Sequence, residues 1–237
     1  MPASLFAIAQ GLVLSIMASR DTLRRTAFSQ GGSRPLARRF KRSVTELQPL
    51  SRSFYTRPAP VVARALLGKR LVHGGRAGRI VETEAYLGQQ DRASHARFGR
   101  TERNEMMYRR GGMVYVYLVY GIHHMFNVVS GPEGRPEAIL IRALEALTGD
   151  DRSPAVARGP GKLTRFLDLT LRHDGVDLTH GDRIFIADGR RRPGESIGVS
   201  QRIGVRYAGS WARAPLRFFL VGHPAVSGDS SLRDLDS

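Results

Sequence analysis

Between Ile80 and Gly88 the chain reads IVETEAYLG, apolar and polar positions alternating with the period of two that a β-strand imposes. The alternation puts Val81, Thr83, Ala85 and Leu87 on one face and Glu82, Glu84 and Tyr86 on the other. Two acids and a phenol therefore share the less apolar face. A second strand, Met113 to Tyr120, sets Tyr115 and Tyr117 on one face and turns Tyr120 the opposite way just before Gly121. Gly111-Gly112 opens that strand, as a tight turn with positive φ would. Further strands are expected at Arg70 to His73, Gly78 to Leu87, Ala138 to Leu144, Arg183 to Ala187 and Leu216 to Val221. Helical signals are fewer. Pro58 and Pro60 precede VVARALLG, a short helix that Gly68 would end, and Leu163, Phe166, Leu167 and Thr170 recur at helical spacing after Gly159-Pro160-Gly161. Strands clustered with few helices between them predict a mixed α/β fold on a largely antiparallel sheet rather than a doubly wound one.

The chain's 237 residues, 41% of them hydrophobic, suffice for one domain with a sizeable core plus extensions. Residues 1–45 stand apart: eight basic residues against one acid, with Gly31, Gly32, Ser33 and Pro35 in a stretch composed like a disordered basic arm. The apolar run Leu5 to Ala18 has signal-peptide length, but its arginines follow it instead of preceding it. A disordered extension or an upstream start codon fits better than a secretory or mitochondrial leader. The folded domain is expected over residues 46–225, with a polar tail over 226–237. No apolar run reaches the ~18 residues that a membrane span needs.

Charge narrows the partner. The formal net charge is +16, carried by 34 Arg and only 3 Lys. Guanidinium groups grip phosphate in a fixed fork, so the excess favours a polyanion, although a general preference for Arg over Lys would explain part of the ratio. The absence of cysteine excludes disulfides, thiolate metal sites and iron–sulfur clusters.

Candidate chemistry centres on Glu84 and Glu82. A carboxylate on a strand is most often a solvated or ion-paired group, but one that is partly desolvated and still ionised can orient and deprotonate water. Tyr86 beside it, and His95 in the arginine-rich segment DRASHARFGR, favour that second reading. Replacement of Glu82 by Gln is expected to be mild by contrast. Tyr115, Tyr117 and Tyr120 are either ordinary sheet aromatics or surfaces for an extruded base and the gap it leaves. Adjacent His123 and His124 would face opposite sides of a strand, and His173, Asp177 and His180 sit in turn-like sequence, so no metal is expected. GPGKL at Gly159 lacks the Ser or Thr and the first Gly of a phosphate loop, and no GxSxG elbow is present.

Taken in order, ARALLGKRLV from Ala63, GRIVETEAYLG from Gly78, His95, the Thr101-Arg103-Asn104 cluster, YVYLVYG from Tyr115, Asn127, LIRALE from Leu140, GPGKL from Gly159 and RIGVRYAGSWARAPLRF from Arg202 resemble the alkyladenine (3-methyladenine) DNA glycosylase family. The match spans about residues 50 to 222, and its joint occurrence is specific where each piece alone is weak. The resemblance implies a single domain with a curved antiparallel sheet, flanking helices and a protruding β-hairpin that enters the DNA minor groove. It implies that Glu84 is the general base, with Arg142 and the backbone at Ile203 helping to hold the attacking water. Tyr86, His95 and Tyr117 would wall the base pocket, Tyr120 would wedge into the duplex, and Asn127 would police the purine edge. His123 and the segment Arg97 to Arg110 depart from the family pattern.

The same resemblance implies a monofunctional enzyme without cofactor that removes alkylated or deaminated purines from double-stranded DNA. A lyase step would need a pocket lysine, and neither Lys69 nor Lys162 matches a family nucleophile. The enzyme is expected to act as a monomer in the cytoplasm, at the nucleoid if the source is bacterial. Two rivals share some features: a non-catalytic basic nucleic-acid-binding protein, which has no need of Glu84, and a formyltransferase-like domain, which would lack the aligned Glu84, Tyr117 and Tyr120.

Overall fold

The computed structural model describes residues 47–228. The extension expected over residues 1–45 and the end of the tail from residue 229 lie outside them. Eight strands form one sheet in which every pairing is antiparallel: β1 (Arg70–His73), β2 (Arg76–Tyr86), β3 (Val114–Val119), β4 (His123–Ser130), β5 (Glu137–Ala146), β6 (Ile184–Ala187), β7 (Ile197–Ser200) and β8 (Arg217–Leu220). The order is β3-β4-β5-β2-β1-β6, and β8 pairs with both β2 and β7. The mixed fold on an antiparallel sheet is what the clustered strands predict, and the single domain with a curled sheet is what the family resemblance implies. The sequence pattern did not delimit β4 and missed β7, and also the 3-10 turns His95–Phe98, Glu102–Tyr108 and Arg206–Arg213.

The curl originates at β2. Along one edge this strand meets β1 through Arg76–Arg79 and then β8 through Glu82–Glu84, while its other edge runs against β5. Two strands therefore share one edge of β2 in succession. The β2–β5 register slips twice: Ile80 faces Leu144, Glu82 faces Ala143 and Thr83 faces Ile141. Val81 is therefore an extra residue on β2 and Arg142 one on β5. The two irregularities cancel, and each re-aims a side chain, as bulges beside functional sites commonly do.

Both faces of β2 are buried, so its acid-bearing face is not solvated. On the far side Thr83 Oγ1 donates to the carbonyl of Ala63, which sits on a helix, Ala59–Leu66. With Pro58 and Pro60 at its start, this helix presents the Ala59 N–H to Glu137 Oε2 at 2.7 Å, and it ends before Gly68 at φ +89°. The core gathers Leu66, Leu71, Ile80, Ile139, Ile141, Leu144 and Phe219 between helix and sheet. The helix after Gly159 covers Pro160–Phe166 only: Asp168 takes φ +55°, and Thr170 caps the next turn instead of continuing the helix as its spacing suggests. Val226 and Ser227, assigned from the sequence to a polar tail, are buried and belong to the domain.

Gly112, as expected from the turn before β3, has φ +94°, and an added Cβ would lie 3.0 Å from the Tyr55 ring. Gly112→Ala should lower stability by about 1–3 kcal/mol, the cost of an L-residue held in that region. Urea unfolding should show a lower midpoint with an unchanged slope; an unshifted midpoint would mean that the turn relaxes freely.

Candidate active site

Glu84 lies near the C-terminal end of β2 with no exposed surface. Its Oε1 accepts the Ile203 N–H at 2.7 Å and stands 3.4 Å from Arg142 Nη1, while Oε2 accepts the Tyr86 hydroxyl at 2.9 Å. Glu84 is not itself a cavity wall; the three groups that touch it are. They come from different elements: Tyr86 from the same strand two residues on, Arg142 from the bulge in β5, and Ile203 from the segment after β7. Arg202 secures that segment by pairing with Asp91 at 2.5 Å and 2.9 Å and bonding the carbonyl of Ala85, while its guanidinium lies 4.7 Å from the Tyr86 ring centre. The Ile203 N–H is thus spent on Glu84.

Behind Glu84 sits the residue that sequence reasoning undervalued. Glu82, whose replacement is expected to be mild for the chemistry, is fully buried and accepts from Arg142 Nε at 3.0 Å, Arg217 Nε at 2.7 Å, the Ser227 N–H at 2.7 Å and Ser227 Oγ at 3.0 Å. Arg217 also bonds the Ser227 carbonyl at 2.6 Å. Burial opposes the Arg142 charge, but Glu84 and Glu82 outweigh it and hold the guanidinium above its ordinary range. The period-two pattern placed both acids on one face correctly; what it lacked was the distant partners Arg217 and Ser227.

In front of this cluster opens a cavity of about 530 Å³, a size ordinary for a small-molecule site. Its walls hold Tyr86, His95, Tyr117 and Asn127 together, with Tyr120 and Ile203 at its border, so the structure brings the expected residues to one place. The His95 and Tyr117 rings meet edge to face with centres 4.4 Å apart, and His95 Nδ1 lies 2.9 Å from the Tyr115 hydroxyl. Burial, reinforced by Arg103 and Arg97, lowers the His95 pKa to about 4, so the imidazole is neutral at neutral pH. Burial and the Glu84 charge push the Tyr117 phenol up to about 12. Asn127 Nδ2 donates to the carbonyls of Tyr115 and Met125, both at 3.1 Å, which fixes the side chain. Tyr115 and Tyr207 also line the cavity. Tyr115 was legible from its face on β3, whereas Tyr207 lies in a 3-10 turn that carries no periodic signal.

Tyr120 stands at the tip of the β3–β4 hairpin and is 90% exposed. It takes φ +53° and Gly121 takes φ +71°, the successive positive values of a mirror-image hairpin turn. A bulky residue there is unusual, and the turn aims it outward. Asn104 fixes the opposite approach: its Nδ2 donates to the carbonyls of His95 and Gly99 at 3.1 Å and 2.9 Å. Among the described residues no three His, Cys, Asp or Glu side chains converge as a metal site. Asp177 pairs with Arg52 and Thr179 instead, and His173 packs against His73.

The mixed α/β domain thus sets a buried carboxylate behind an aromatic cavity. Residues 53–224 match the methylpurine-DNA glycosylase family, so the chain belongs to that family of DNA repair enzymes, hydrolases acting on DNA in base excision repair. A relative in Anaeromyxobacter dehalogenans (strain 2CP-1) is 52% identical over 183 residues, covering 75% of this chain and 85% of its own. One in Myxococcus xanthus is 46% identical over 184 residues, 75% of this chain and 93% of its own. One in Methanocella arvoryzae is 41% identical over 192 residues, 75% of this chain and 95% of its own. All three carry the provisional name 3-methyladenine DNA glycosylase. No described helix is long and apolar enough to cross a membrane.

Glu82→Gln should destabilise the domain by about 3 kcal/mol or more, because it leaves two buried guanidinium groups short of compensating charge. A loss under about 0.5 kcal/mol in urea unfolding would return Glu82 to the status of a spare carboxylate. His95 sets a pH dependence. Its folded pKa, about 4, lies below the unfolded value near 6.5, so the unfolded chain binds the extra proton between those limits. Its contribution is intact above about pH 6.5 and is lost as pH falls through 4. His95→Gln should therefore flatten the fall in stability over that window by up to one proton per molecule; an unaltered slope would exclude a buried neutral imidazole.

Proposed function

We propose that the protein is a monofunctional DNA glycosylase that extrudes alkylated or deaminated purines from duplex DNA and hydrolyses their N-glycosidic bond. The observation that carries this reading is Glu84, buried against the cavity and fixed by Tyr86, Arg142 and the Ile203 N–H. A base inside the stack is out of reach, so it must first be flipped out. The damaged ring then lies between Tyr86, His95 and Tyr117, while Tyr120 fills the gap left in the duplex and offsets part of the unstacking cost.

Water near Glu84, steadied by Arg142 and the backbone at Ile203, attacks the anomeric carbon as the bond to the base breaks. Its proton passes to Glu84, and an alkylated, cationic purine leaves with the bonding electron pair as a neutral base. The transition state resembles an oxocarbenium ion, as in glycoside hydrolysis generally, and the product is an abasic site. Among the described residues the cavity walls hold no lysine. Lys69 is engaged by Asp188 and the carbonyl of Gly189, so nothing in the pocket supplies the amine that a lyase step needs. The enzyme acts as a monomer, through a domain running from about residue 46 through Ser227, and the basic extension adds nonspecific attraction to DNA. 3-Methyladenine is the primary substrate, with ethenoadenine and hypoxanthine as further candidates.

Excision from duplexes carrying these three lesions tests the reading. Glu84→Gln keeps the shape but removes the base, and single-turnover release should fall by on the order of 10² or more while lesion-DNA binding survives. Near-normal release by the variant would end the assignment. Asn127 tests selectivity. Its side chain is held by two carbonyls at the cavity wall, which supports a role in excluding the 2-amino group that distinguishes guanine. Asn127→Ala should raise removal of normal guanine relative to hypoxanthine; an unchanged ratio would move selectivity to His95 or the Arg97 to Arg110 segment.

A further inference from the structure

Three of the eight large apolar side chains exposed among the described residues, Tyr120, Ile203 and Tyr207, line the cavity. Ile122 shares the hairpin turn with Tyr120, and Phe98 is tied to Tyr207 through Arg97. Exposed apolar residues scattered singly need no explanation, but a contiguous group beside a binding cavity marks a contact surface. Tyr120 has a role as the wedge in the duplex. Phe98, 81% exposed, has none.

Its surroundings are built, not loose. The Arg97 guanidinium lies over the Phe98 ring at 4.4 Å and over the Tyr207 ring at 5.4 Å, joining two separate 3-10 turns. Arg97 Nη1 donates to the Ser94 carbonyl at 3.3 Å, and the Tyr207 hydroxyl donates to the Ala93 carbonyl at 3.3 Å. The turn carrying both Arg97 and Phe98 is held at its two ends by Asn104, through the carbonyls of His95 and Gly99. Phe98 therefore offers one ring face to water while a fixed cation backs the other. A rigid aromatic plane beside positive charge is the common platform for an unpaired nucleobase, because every base has a face to stack and a phosphate to neutralise.

We propose that Phe98, supported by Arg97 and Tyr207, stacks the nucleobase adjacent to the extruded one on the same DNA strand. This rests on the glycosylase reading. An extruded nucleotide stays covalently joined to its neighbours, so the base nearest the cavity rim is the next one along that strand. Arg97 and Arg103, the latter lining the cavity, bring positive charge to the path of its phosphates.

The test is binding, by fluorescence anisotropy, of a short single-stranded oligonucleotide with a tetrahydrofuran abasic nucleotide at its centre. Two further oligonucleotides also lack the base on the 5′ or on the 3′ side. Wild-type protein should bind at least one of these about fivefold or more weakly than the first. Phe98→Ala should lose that difference, and Phe98→Trp should keep it. The proposal is overturned if the alanine variant retains the wild-type ratio, or if the wild type is indifferent to both neighbours. Release of 3-methyladenine from a duplex, measured on the same wild-type preparation, keeps the two readings apart: failure there with the neighbour dependence intact would remove the glycosylase assignment and leave the platform.

Discussion

The structure depends on four buried charges around one point of β2. Glu82 and Glu84 bring two negative charges into the domain, and Arg142 and Arg217 bring two positive ones, all nearly or wholly shielded from water. Such a group is stable only when every charge is compensated and its remaining hydrogen-bonding capacity is met, since removing one partner strands the others. Ser227, from the end of the domain, supplies the last two donors to Glu82. The double register slip between β2 and β5 releases Arg142 from the ladder, and the branching of β2 towards β8 brings in Arg217. The curl of the sheet and the charge cluster are in that sense one feature.

This arrangement divides labour between two acids two residues apart. Glu82 is saturated by protein donors and can only hold Arg142 and Arg217 in place. Glu84 keeps its contacts at the cavity wall: a phenol, a guanidinium and one N–H, all belonging to residues that line the pocket. The aromatic walls are kept uncharged, because burial depresses the His95 pKa and raises those of Tyr86, Tyr115 and Tyr117, whereas Arg103 and Arg142 bring positive charge to the lining. The negative charges of Glu82 and Glu84 thus lie behind the cavity, while its aromatic sides are neutral.

Much of this was legible because it is local. Period two gave β2 and β3, the tyrosine faces and the common face of the two acids, and glycine placement gave the turn before β3. Periodicity did not delimit β4, since His123 and His124 begin it with polar residues beside an exposed turn, although the pair was placed on a strand. Cavity walls carried by 3-10 turns, such as Tyr207, have no periodicity to read. The status of Glu82 was illegible for a different reason: its partners lie 60, 135 and 145 residues away in the chain. Burial by distant segments decides what a carboxylate does, and no local pattern records it.

Glu84, held as it is, should face the positive charge that develops on the sugar. Affinity for a duplex in which a cationic pyrrolidine replaces the sugar of the lesion nucleotide, compared with the uncharged tetrahydrofuran duplex, measures that interaction directly. Wild-type protein should prefer the cation by at least tenfold, and Glu84→Gln should abolish most of the preference. Equal affinity of the wild type for both duplexes, or a preference untouched by the substitution, would contradict this role for Glu84.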